Sequence, residues 1–594
     1  MIKRNLKKLA PVILSITTIC TLFAGNCLVK ERTFGAENEI KYGDVNGDKE
    51  INVTDGVLLK KHLAGINVIF DEKASDVNAD GKVDITDAVL LMKHLAGMDV
   101  VFGSQVAKPT DTIEIMCDTT VIPMYNGDEK FLRYLKELTG LNIQLIEPDP
   151  STYYDIVDDA FRSNNPPDVI LLSPEYYAYY AQKGLLWNMT DAWENSDLKK
   201  SGRMIEEAND VLSALKVKWA DGTKGLYGFS PVRGNGCCTY IKKSWLDAAG
   251  ISVDEVKNTT MDWDTYYSYL KRMAEVKKGY YVISAPDFVS ENPPYTQYLP
   301  EFYQQAHFSF YQNESGQYVD GFTEKAMQEA LQRIHTAVKN GVLDAGTLGQ
   351  KASDARNKFL SIDEFSTSCV LTYWSGMWAD TLKQNLEAKD MDGELIAINP
   401  IKELGTYTDR IAPVWCITSA AENPEGIFKY LIETMLDGGD IQTAWEYGAK
   451  GTHWDTKAES VTLAGNRYDV KTYEEGEFHF LPSPRNPKIW SSKYIIDPFL
   501  VLAKFDGASD PGIDKLGGTI AKENAEWFTT VSKVDRLVSR TDTINLNIDD
   551  INIKRREVVS KVAFGEWSVE EGMENYKLKV GAKVEDCLKS LNDL

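Results

Sequence analysis

One acidic twelve-residue pattern occurs twice near the start of the chain. Residues 44–55 read DVNGDKEINVTD and residues 76–87 read DVNADGKVDITD, and the second copy begins 32 positions after the first. In both copies, oxygen-bearing residues stand at the spacing with which EF-type loops surround calcium. Because calcium takes about six to eight oxygen ligands, the pattern predicts two calcium loops that hold two ions.

The ligands follow from positions 1, 3, 5, 7, 9 and 12 of each loop. For the first ion they are Asp44, Asn46, Asp48, the carbonyl of Glu50, Asn52 and Asp55. For the second ion they are Asp76, Asn78, Asp80, the carbonyl of Lys82, Asp84 and Asp87. At position 6, where the loop turns sharply, the first copy has Lys49 and the second has Gly81. A left-handed turn costs a non-glycine residue about 1–2 kcal/mol, so we expect the second loop to bind more tightly.

Each loop is followed by an apolar stripe that ends in glycine, GVLLKKHLAG in the first copy and AVLLMKHLAG in the second. This pattern predicts one amphipathic helix after each loop, and therefore a small all-α module of two half EF-hands. A module of about 60 residues with so few apolar positions needs metal to fold.

Residues 40–99 resemble a type I dockerin, the module that attaches cellulosomal proteins to the cohesins of a scaffoldin. The resemblance implies that loop positions 10 and 11, with the helix behind them, contact the cohesin. These residues are Val53, Thr54, Lys60 and Lys61 in one copy and Ile85, Thr86, Met92 and Lys93 in the other. Since the two copies are so alike, either one could face the cohesin after a half-turn of the module. The alternative interpretation is two structural calcium loops without a partner.

The first 36 residues have the parts of an export signal. A basic start precedes a mostly apolar run from Leu9 to Gly25, and this run is short for a membrane span, which needs about 20 residues. We expect cleavage between Ala24 and Ala36, and hence a secreted, extracellular chain without a membrane span. A membrane anchor and lipidation at Cys27 are the alternatives.

The formal net charge of −23 opposes contact with phosphate backbones, so nucleic acid is not an expected partner. The sequence contains no GxSxG, HExxH or P-loop pattern. No residue is therefore assigned a catalytic role, and we expect a protein that is not an enzyme.

Beyond a short polar linker at about 100–111, the pattern changes to alternating strands and helices. The predicted strands are TIEIMCD (112–118), LNIQLIE (141–147) and PDVILLS (167–173), with an amphipathic helix between each pair. This β-α-β-α-β order predicts a parallel α/β sheet, whose ligands bind beyond the carboxyl ends of the strands.

Residues 112–594 resemble an extracellular solute-binding protein of family 1, the sugar-binding component of an ABC importer. The motifs that carry the resemblance include GLYGFSPVRGNGCCTYIKKSW (225–245), FLSIDEFSTSCVLTYWSGMW (359–378), IAPVWCITS (411–419) and YGAKGTHW (447–454). The resemblance implies a two-lobed, periplasmic-binding-protein-like α/β fold with a hinge and a ligand cleft. Lobe one would comprise about 112–232 and 415–460, and lobe two about 233–414 and 461–594. An importer permease is then a further candidate partner.

A sugar offers flat C–H faces to aromatic rings and hydroxyl groups to carboxylates, amides and arginine. Residues of these types at predicted strand ends, or in the glycine-rich crossover where backbone can approach a ligand, are the candidate contacts. They are Asp118, Tyr125, Glu175, Tyr176, Arg233, Asn235, Tyr373, Trp374, Trp378, Trp415, His453 and Trp454.

These patterns together predict an extracellular oligosaccharide-binding protein that docks onto a cohesin scaffold of a cellulosome-like complex through a calcium-loaded dockerin. Two alternatives stay open at this point. One is a cellulosomal enzyme that acts on glycosides, for which two suitably spaced carboxylates would suffice. The other is a non-catalytic assembly protein that binds a peptide.

Overall fold

The chain forms two compact units, residues 1–107 and 108–594. The computed structural model describes residues 41–78, 83–98, 100, 102–103, 106–118, 128–218, 223–276, 281–290, 293–362, 367–376, 378–464, 468–482, 494–505, 510–516 and 520–594. The predicted export signal, Asp80, Gly81, Lys82 and Tyr125 lie outside these residues, as do the side chains of Thr86 and Trp378. Among the helices described, none is both long enough and apolar enough to cross a membrane.

The small unit is helical, as the sequence predicts. Its helices are α1 (Val53–Leu63), α2 (Glu72–Ser75) and α3 (Ile85–Leu95). Helices α1 and α3 pack together over a small apolar core made of Val45, Leu59, Val77, Ala88 and Leu91. Gly65 and Gly97 follow these helices with φ of +76° each, the left-handed conformation in which helices commonly end. A single turn, α2, precedes the second loop in place of a full EF-hand helix.

The duplication in sequence is also a duplication in packing. The ring of His62 lies 4.0 Å from that of Phe70, and 32 residues further on the ring of His94 lies 4.6 Å from that of Phe102. The two copies therefore repeat the same contact between a histidine ring and a phenylalanine ring.

The large unit alternates strands and helices along most of its length. Its strands are β1 (Thr112–Met116), β2 (Asn142–Ile146), β3 (Val169–Leu172), β4 (Val217–Lys218), β5 (Lys224–Gly225), β6 (Cys237–Lys242), β7 (Tyr281–Ser284), β8 (Phe310–Gln312), β9 (Tyr318–Asp320), β10 (Ser368–Trp374), β11 (Leu395–Ala397), β12 (Tyr407–Asp409), β13 (Val414–Ile417), β14 (Trp454–Asp455), β15 (Glu459–Ala464), β16 (Tyr468–Tyr473), β17 (His479–Phe480) and β18 (Ser532–Val534). Its helices are α4 (Asp128–Thr139), α5 (Tyr153–Arg162), α6 (Pro174–Gln182), α7 (Thr190–Asn195), α8 (Asp197–Lys200), α9 (Ala208–Ala214), α10 (Lys243–Ala248), α11 (Val253–Lys257), α12 (Trp263–Val276), α13 (Pro300–Tyr303), α14 (Lys325–Lys339), α15 (Ala352–Phe359), α16 (Trp378–Glu387), α17 (Pro424–Ile427), α18 (Asp440–Tyr447), α19 (Ile513–Leu516), α20 (Ile520–Val531), α21 (Asp542–Ala563) and α22 (Val569–Asn592).

The first lobe is built on a sheet with strand order β13-β3-β1-β2. Strand β1 runs parallel to β2 and β3, which confirms the parallel sheet expected from the β-α-β-α-β order. Strand β13 joins β3 antiparallel as the chain returns from the second lobe.

A segment near residues 494–502 returns to the first lobe, which the sequence did not predict. Tyr494, Ile496 and Leu502 belong to the hydrophobic core of this first sheet, although they fall in the range 461–594 that the sequence assigns to lobe two. The predicted lobe boundary is wrong for this segment, because a short irregular stretch carries no periodic pattern that would show which core it joins.

The second lobe is built on a sheet with order β11-β6-β10-β7. Strand β6 is antiparallel to β10 and β11, and β7 is parallel to β10. The C-terminal helices α21 and α22 pack on each other and contribute to the same core. A buried ion pair between Arg555 and Asp320, 2.7 Å long, ties α21 to β9. Two sheets with separate cores give the two-lobed α/β fold.

The segments that connect the lobes contact each other through their backbones. A Cβ atom on Gly234 would lie 1.1 Å from the carbonyl oxygen of Arg410, and one on Gly236 would lie 2.2 Å from that of Thr408. Strands β12 and β18 pair in parallel beside this contact. The glycines of the RGNG stretch therefore allow one crossover to approach another, whereas the sequence assigned them to the approach of a ligand.

Candidate functional site

The first predicted calcium loop folds around two buried carboxylates. Asp44 accepts the backbone N–H groups of Asp48 and Lys49 at 3.0 and 2.8 Å. Asp55 accepts those of Asn46 and Asn52 at 3.0 and 2.9 Å. The loop backbone thus wraps around the side chains at positions 1 and 12, the two ends of the predicted ligand set. Asp48 is exposed and accepts the N–H of Glu50 at 2.8 Å.

The second loop repeats this arrangement where it is described. Asp87 is buried and accepts the backbone N–H groups of Asn78 and Asp84 at 3.1 and 2.8 Å, as Asp55 does in the first loop. Asn78 is buried and Asp76 is half-buried. In the described part of the chain, no three His, Cys, Asp or Glu side chains could hold a metal ion by themselves. The predicted ligand sets also use asparagine and backbone oxygens, and an all-oxygen set is the kind that calcium prefers.

The two loops differ at the sharp turn. Lys49 has a φ of +72°, so the left-handed conformation expected at position 6 is present with a side chain that disfavours it.

The residues predicted to contact a cohesin lie at the surface of the small unit. Val53 and Ile85 expose 66% and 70% of their surface. Val57 and Val89, one helical turn further on, each expose 46%, and the prediction did not include them. Of the remaining predicted contacts, Thr54, Lys61 and Lys93 are exposed, and Lys60 and Met92 are half-buried. The module therefore presents two matching apolar patches, one from each copy.

In the large unit, one group of candidate ligand contacts gathers at the carboxyl ends of β2 and β3. The hydroxyl of Tyr154 accepts the N–H of Ser173 at 2.8 Å, which fixes its ring beside the start of α6. Tyr176 stacks on Tyr154 with ring centres 3.6 Å apart and an interplanar angle of 8°. The Arg540 guanidinium lies 4.5 Å from the centre of the Tyr176 ring, and 3.9 Å from the carboxylate of Glu175.

A second group stands at the end of β10 in the other lobe. Trp374 is half-buried, and the Arg410 guanidinium lies 4.6 Å from the centre of its ring. The ring of Tyr298 meets Trp374 edge-on at 6.4 Å. Asn235 accepts hydrogen bonds from the Ser375 hydroxyl and the N–H of residue 376, both at 3.2 Å, and so holds the loop that follows Trp374.

The segment 295–298 connects these two groups. Burial raises the pKa of the Tyr295 hydroxyl to about 12, and the nearby charge of Glu175 in the other lobe adds to the shift. Tyr295 therefore lies near enough to Glu175 of the first group for the charge of Glu175 to act on its hydroxyl, while the ring of Tyr298 contacts Trp374 of the second group. We call the surface formed by Tyr154, Glu175, Tyr176 and Arg540 on one side and Tyr298, Trp374 and Arg410 on the other the aromatic cleft.

Burial and a neighbouring cation act in opposite directions on the acid of the cleft. Burial raises the pKa of Glu175, and the charge of Arg540 lowers it. Glu175 also stands in the first turn of α6, where the helix dipole favours a carboxylate. Beside Arg540 this carboxyl supplies acceptors, and the guanidinium supplies donors, at the edge of a stacked pair of rings.

Three predicted ligand contacts are buried in hydrophobic cores instead. Trp415 packs edge-on against Trp445 at 5.4 Å, and Trp454 stacks on Phe478 at 5.0 Å. His453 is fully buried and accepts the N–H of residue 449 at 2.9 Å. Their assignment to the ligand site is corrected by this packing, since a side chain enclosed by its own core has no face to offer a ligand.

The remaining predicted contacts belong neither to the aromatic cleft nor to the group that is corrected above. Tyr373 is buried and its hydroxyl accepts a hydrogen bond from Arg356 at 3.4 Å. Arg233 is buried and donates to the carbonyl of Ala525 at 2.6 Å, away from the aromatic cleft. Asp118 is half-buried at the end of β1. Trp378 begins α16.

Four residues of the aromatic cleft were not predicted. Tyr154 is the second residue of α5, the helix after β2, so the rule that strand ends carry sites would have found it. Tyr298, Arg410 and Arg540 lie in irregular segments between elements, where the sequence shows no pattern that would bring them to the cleft.

The two units are similar to different kinds of known protein. Residues 42–96 match the family model of the dockerin type I domain. No curated protein matches the chain.

Among solved structures, an extracellular solute-binding protein family 1 member from Alicyclobacillus acidocaldarius is 14% identical over 81% of this chain and 100% of its own, with a TM-score of 0.52. The alginate-binding protein AlgQ2, solved without calcium ion, is 16% identical over 81% of this chain and 97% of its own, with a TM-score of 0.52. The N-glycan transport solute-binding protein NgtS of Streptococcus pneumoniae is 15% identical over 82% of this chain and 99% of its own, with a TM-score of 0.51. At these identities the likeness shows the fold, which is that of the solute-binding proteins.

Proposed function

We propose that the chain is an extracellular oligosaccharide-binding protein that docks onto a cohesin scaffold through a calcium-loaded dockerin. The observation that carries the proposal is the aromatic cleft, in which half-buried rings of both lobes stand beside charged groups that can bond hydroxyls. The match of residues 42–96 to the dockerin type I domain supports the docking half of the proposal.

The chemistry of the cleft supports a sugar as its ligand. Trp374 and the edge of the stacked Tyr154–Tyr176 pair offer apolar ring surface to the C–H groups of a pyranose ring, and Glu175 and Arg540 offer acceptors and donors for its hydroxyls. Two of the structurally similar proteins are named for alginate binding and for N-glycan transport. We infer binding without chemistry, with the two lobes closing over the ligand about the crossover segments.

The small unit would carry out the docking part of the proposed function, which depends on calcium. Its two loops would hold calcium through the predicted ligands, which begin and end with Asp44 and Asp55 in the first loop and with Asp76 and Asp87 in the second. The metal would lock each loop onto the start of its helix and so set the two apolar patches that meet a cohesin.

Oligosaccharide binding is tested by isothermal titration calorimetry. Plant and starch oligosaccharides are titrated into the full chain in a buffer that contains calcium. We expect saturable binding of at least one of them, weakened about 30-fold in Trp374→Ala because about 2 kcal/mol of stacking is lost. The sugars are then separated by chromatography. Cleaved products would support a glycoside-active enzyme instead, and a chain that binds peptides but no sugar would support the assembly protein.

The docking half is tested with a panel of purified cohesins. If either copy can face the partner, Val53→Asp alone and Ile85→Asp alone each leave one intact patch and weaken binding only slightly. The double variant should lose binding, because a charge then stands in both patches. A cohesin that binds the double variant as tightly as the native chain contradicts this assignment.

A further inference from the structure

Helix α6 has a polar side that faces away from the core of its own lobe. Tyr177 and Ala181 belong to the hydrophobic core of the first sheet. Glu175, Tyr179 and Gln182 follow the spacing i, i+4, i+7, so their side chains leave the helix on one other side. This side is available for contacts outside the first core.

The end of α6 is bonded to the segment 539–542, which leads into α21. The hydroxyl of Tyr179 donates to the carboxylate of Asp542 at 2.7 Å, and Nζ of Lys183 lies 2.8 Å from the same carboxylate. The amide of Gln182 donates to the hydroxyl of Ser539 at 3.2 Å. The hydrogen bonds from Lys183 and Tyr179 lower the pKa of Asp542, which keeps its carboxylate ionised.

These contacts cross from the first lobe to the second. Asp542 is the first residue of α21, and Ile544 and Ile551 of this helix belong to the core of the second sheet. Ser539 also accepts a hydrogen bond from the hydroxyl of Tyr318 in β9 at 3.0 Å, and Tyr318 packs against the second core. The segment 539–542 is therefore held by residues of both lobes.

The same two elements also meet at the aromatic cleft. Glu175, one helical turn before Tyr179, lies 3.9 Å from the guanidinium of Arg540, two residues before Asp542. A ligand that bonds both Glu175 and Arg540 draws α6 and the segment 539–542 together, as the bond between Tyr179 and Asp542 does. Two contacts that favour one arrangement of the lobes strengthen each other.

We propose that Tyr179 and Asp542 form a latch that holds the two lobes in the arrangement that binds the ligand of the aromatic cleft. The proposal rests on the proposed function, because the latch regulates binding at that same cleft. Tyr179 is only 9% exposed, so its hydrogen bond is largely shielded from water. Lys183 contributes less, since its side chain and that of Asp542 are 39% and 71% exposed and such ion pairs are weak. Loss of the latch lowers the fraction of the chain that is ready to bind.

The first test measures sugar affinity. Cellohexaose, xylohexaose and maltohexaose are titrated into the full chain by isothermal titration calorimetry in a buffer that contains calcium. Tyr179→Phe removes only the hydroxyl and should weaken the binding of any sugar that the native chain binds by about threefold or more. Asp542→Ala should have a similar effect. The double variant should bind no more weakly than the weaker single variant, because both changes remove one contact.

A neighbouring tyrosine supplies the matched control. The hydroxyl of Tyr180 donates to Asp158 of α5, so this hydrogen bond lies within the first lobe. Tyr180→Phe removes a similar bond without changing the contact between the lobes, and should leave sugar affinity as it was. The proposal is overturned if Tyr179→Phe leaves the affinity unchanged or if Tyr180→Phe weakens it as much.

A second test needs no ligand. Lys136→Cys on α4 and Gln332→Cys on α14 place one spin label at an exposed position of each lobe. The chain also carries Cys20→Ser and Cys27→Ser, and the six cysteines among the described residues are buried. Pulsed electron paramagnetic resonance then measures the distances between the two labels.

The distribution of these distances decides whether the latch acts on the lobes. It should be broader in the chain with Tyr179→Phe than in the chain with Tyr179, and Tyr180→Phe should leave it unchanged. Equal distributions with and without the Tyr179 hydroxyl overturn the proposal. Failure of the proposed function would appear separately, as a chain that binds none of the three sugars while its label distances still respond to Tyr179→Phe.

Discussion

The loop carboxylates of the small unit and Asp320 of the large unit are stabilised in different ways. In the small unit Asp44 and Asp55 are buried against backbone N–H groups, under an apolar core of few residues. In the large unit Asp320 is buried against a guanidinium, Arg555, inside an extensive core. Backbone N–H groups stabilise a carboxylate without cancelling its charge, whereas a directly bonded guanidinium neutralises it. The loops of the small unit therefore keep negative charge that a bound cation would offset, and Arg555 offsets that of Asp320.

This difference teaches that docking and ligand binding draw on separate sources of stability. Calcium would govern whether the cohesin-facing patches exist at all. The cleft depends on cores that contain no predicted metal ligand, so its folding should be indifferent to calcium.

The largest expected effect is the response of each unit to chelation. Removing calcium with EDTA should unfold residues 41–107, because calcium binding contributes to the folding free energy of the small unit. The large unit should keep its melting temperature, since it contains no predicted metal ligand. Differential scanning calorimetry of the full chain should show one transition that depends on calcium and one that does not.

Variants of the loop ligands sharpen the same contrast. Asp44→Ala combined with Asp76→Ala should reproduce the effect of EDTA in calcium-containing buffer. Asp392→Ala, which changes an exposed aspartate of the large unit, serves as the matched control and should melt like the native chain. A small unit that stays folded in EDTA would remove the basis of the comparison.

The next largest effect is the difference in stability loss between alanine variants of two tryptophans of the large unit, Trp415 and Trp374. Trp415→Ala should lower the free energy of unfolding by about 3–5 kcal/mol, because it empties a place in the first core beside Trp445. Trp374→Ala should cost less than about 1 kcal/mol of stability but weaken sugar binding, since its ring is half-buried at the cleft. Thermal melts and ligand titrations of both variants measure the two quantities. Equal loss of stability in both would mean that Trp374 is a core residue too.

These tryptophans also show how far the sequence reaches. Local periodicity predicted the parallel strands of the first sheet and the helices between them, because each of these depends on residues close together in sequence. The spacing of the acidic residues predicted two calcium loops, and their binding of calcium stays a prediction. The same reasoning placed Glu175, Tyr176 and Trp374 at strand ends, where the structure has them.

What the sequence missed depends on contacts between distant residues. Trp415 and Trp374 both occur in strands beside apolar residues, and only the packing of Trp445 distinguishes core from cleft. Arg540 meets Tyr176 across more than 300 positions of chain, and Tyr494 returns to the first core from an irregular segment. Side-chain chemistry was therefore predictable, whereas the direction in which a side chain points often was not.

Asp409 is one of the buried carboxyls of the large unit, and it should make stability depend on pH. Its pKa is about 7 in the folded chain against an ordinary value of 3.8, because burial outweighs the charges of Arg233 and Arg410. Between pH 4 and 7 the folded chain therefore holds a proton that the unfolded chain has lost, so stability falls as the pH rises. The contribution amounts to about 3–4 kcal/mol across this window.

Asp409→Asn isolates this contribution, since the amide keeps the shape and cannot ionise. Urea unfolding at a series of pH values should show the native chain losing stability relative to the variant between pH 4 and 7, with little further change above pH 8. A difference between the two chains that is constant with pH would show that Asp409 does not titrate in this range.

The smallest expected effect compares the two calcium loops within the small unit. Lys49→Gly should stabilise the calcium-loaded module by about 1 kcal/mol, because glycine adopts the φ of +72° found at this position without strain. The gain should appear as a higher melting temperature of the calcium-dependent transition and as tighter binding of one of the two ions in a calcium titration. Lys49→Ala is the matched control, since it removes the same charge and keeps the Cβ atom that makes the turn unfavourable. If alanine stabilises the module as much as glycine does, the lysine acts through its charge, and the expected difference between the loops has another cause than the left-handed turn.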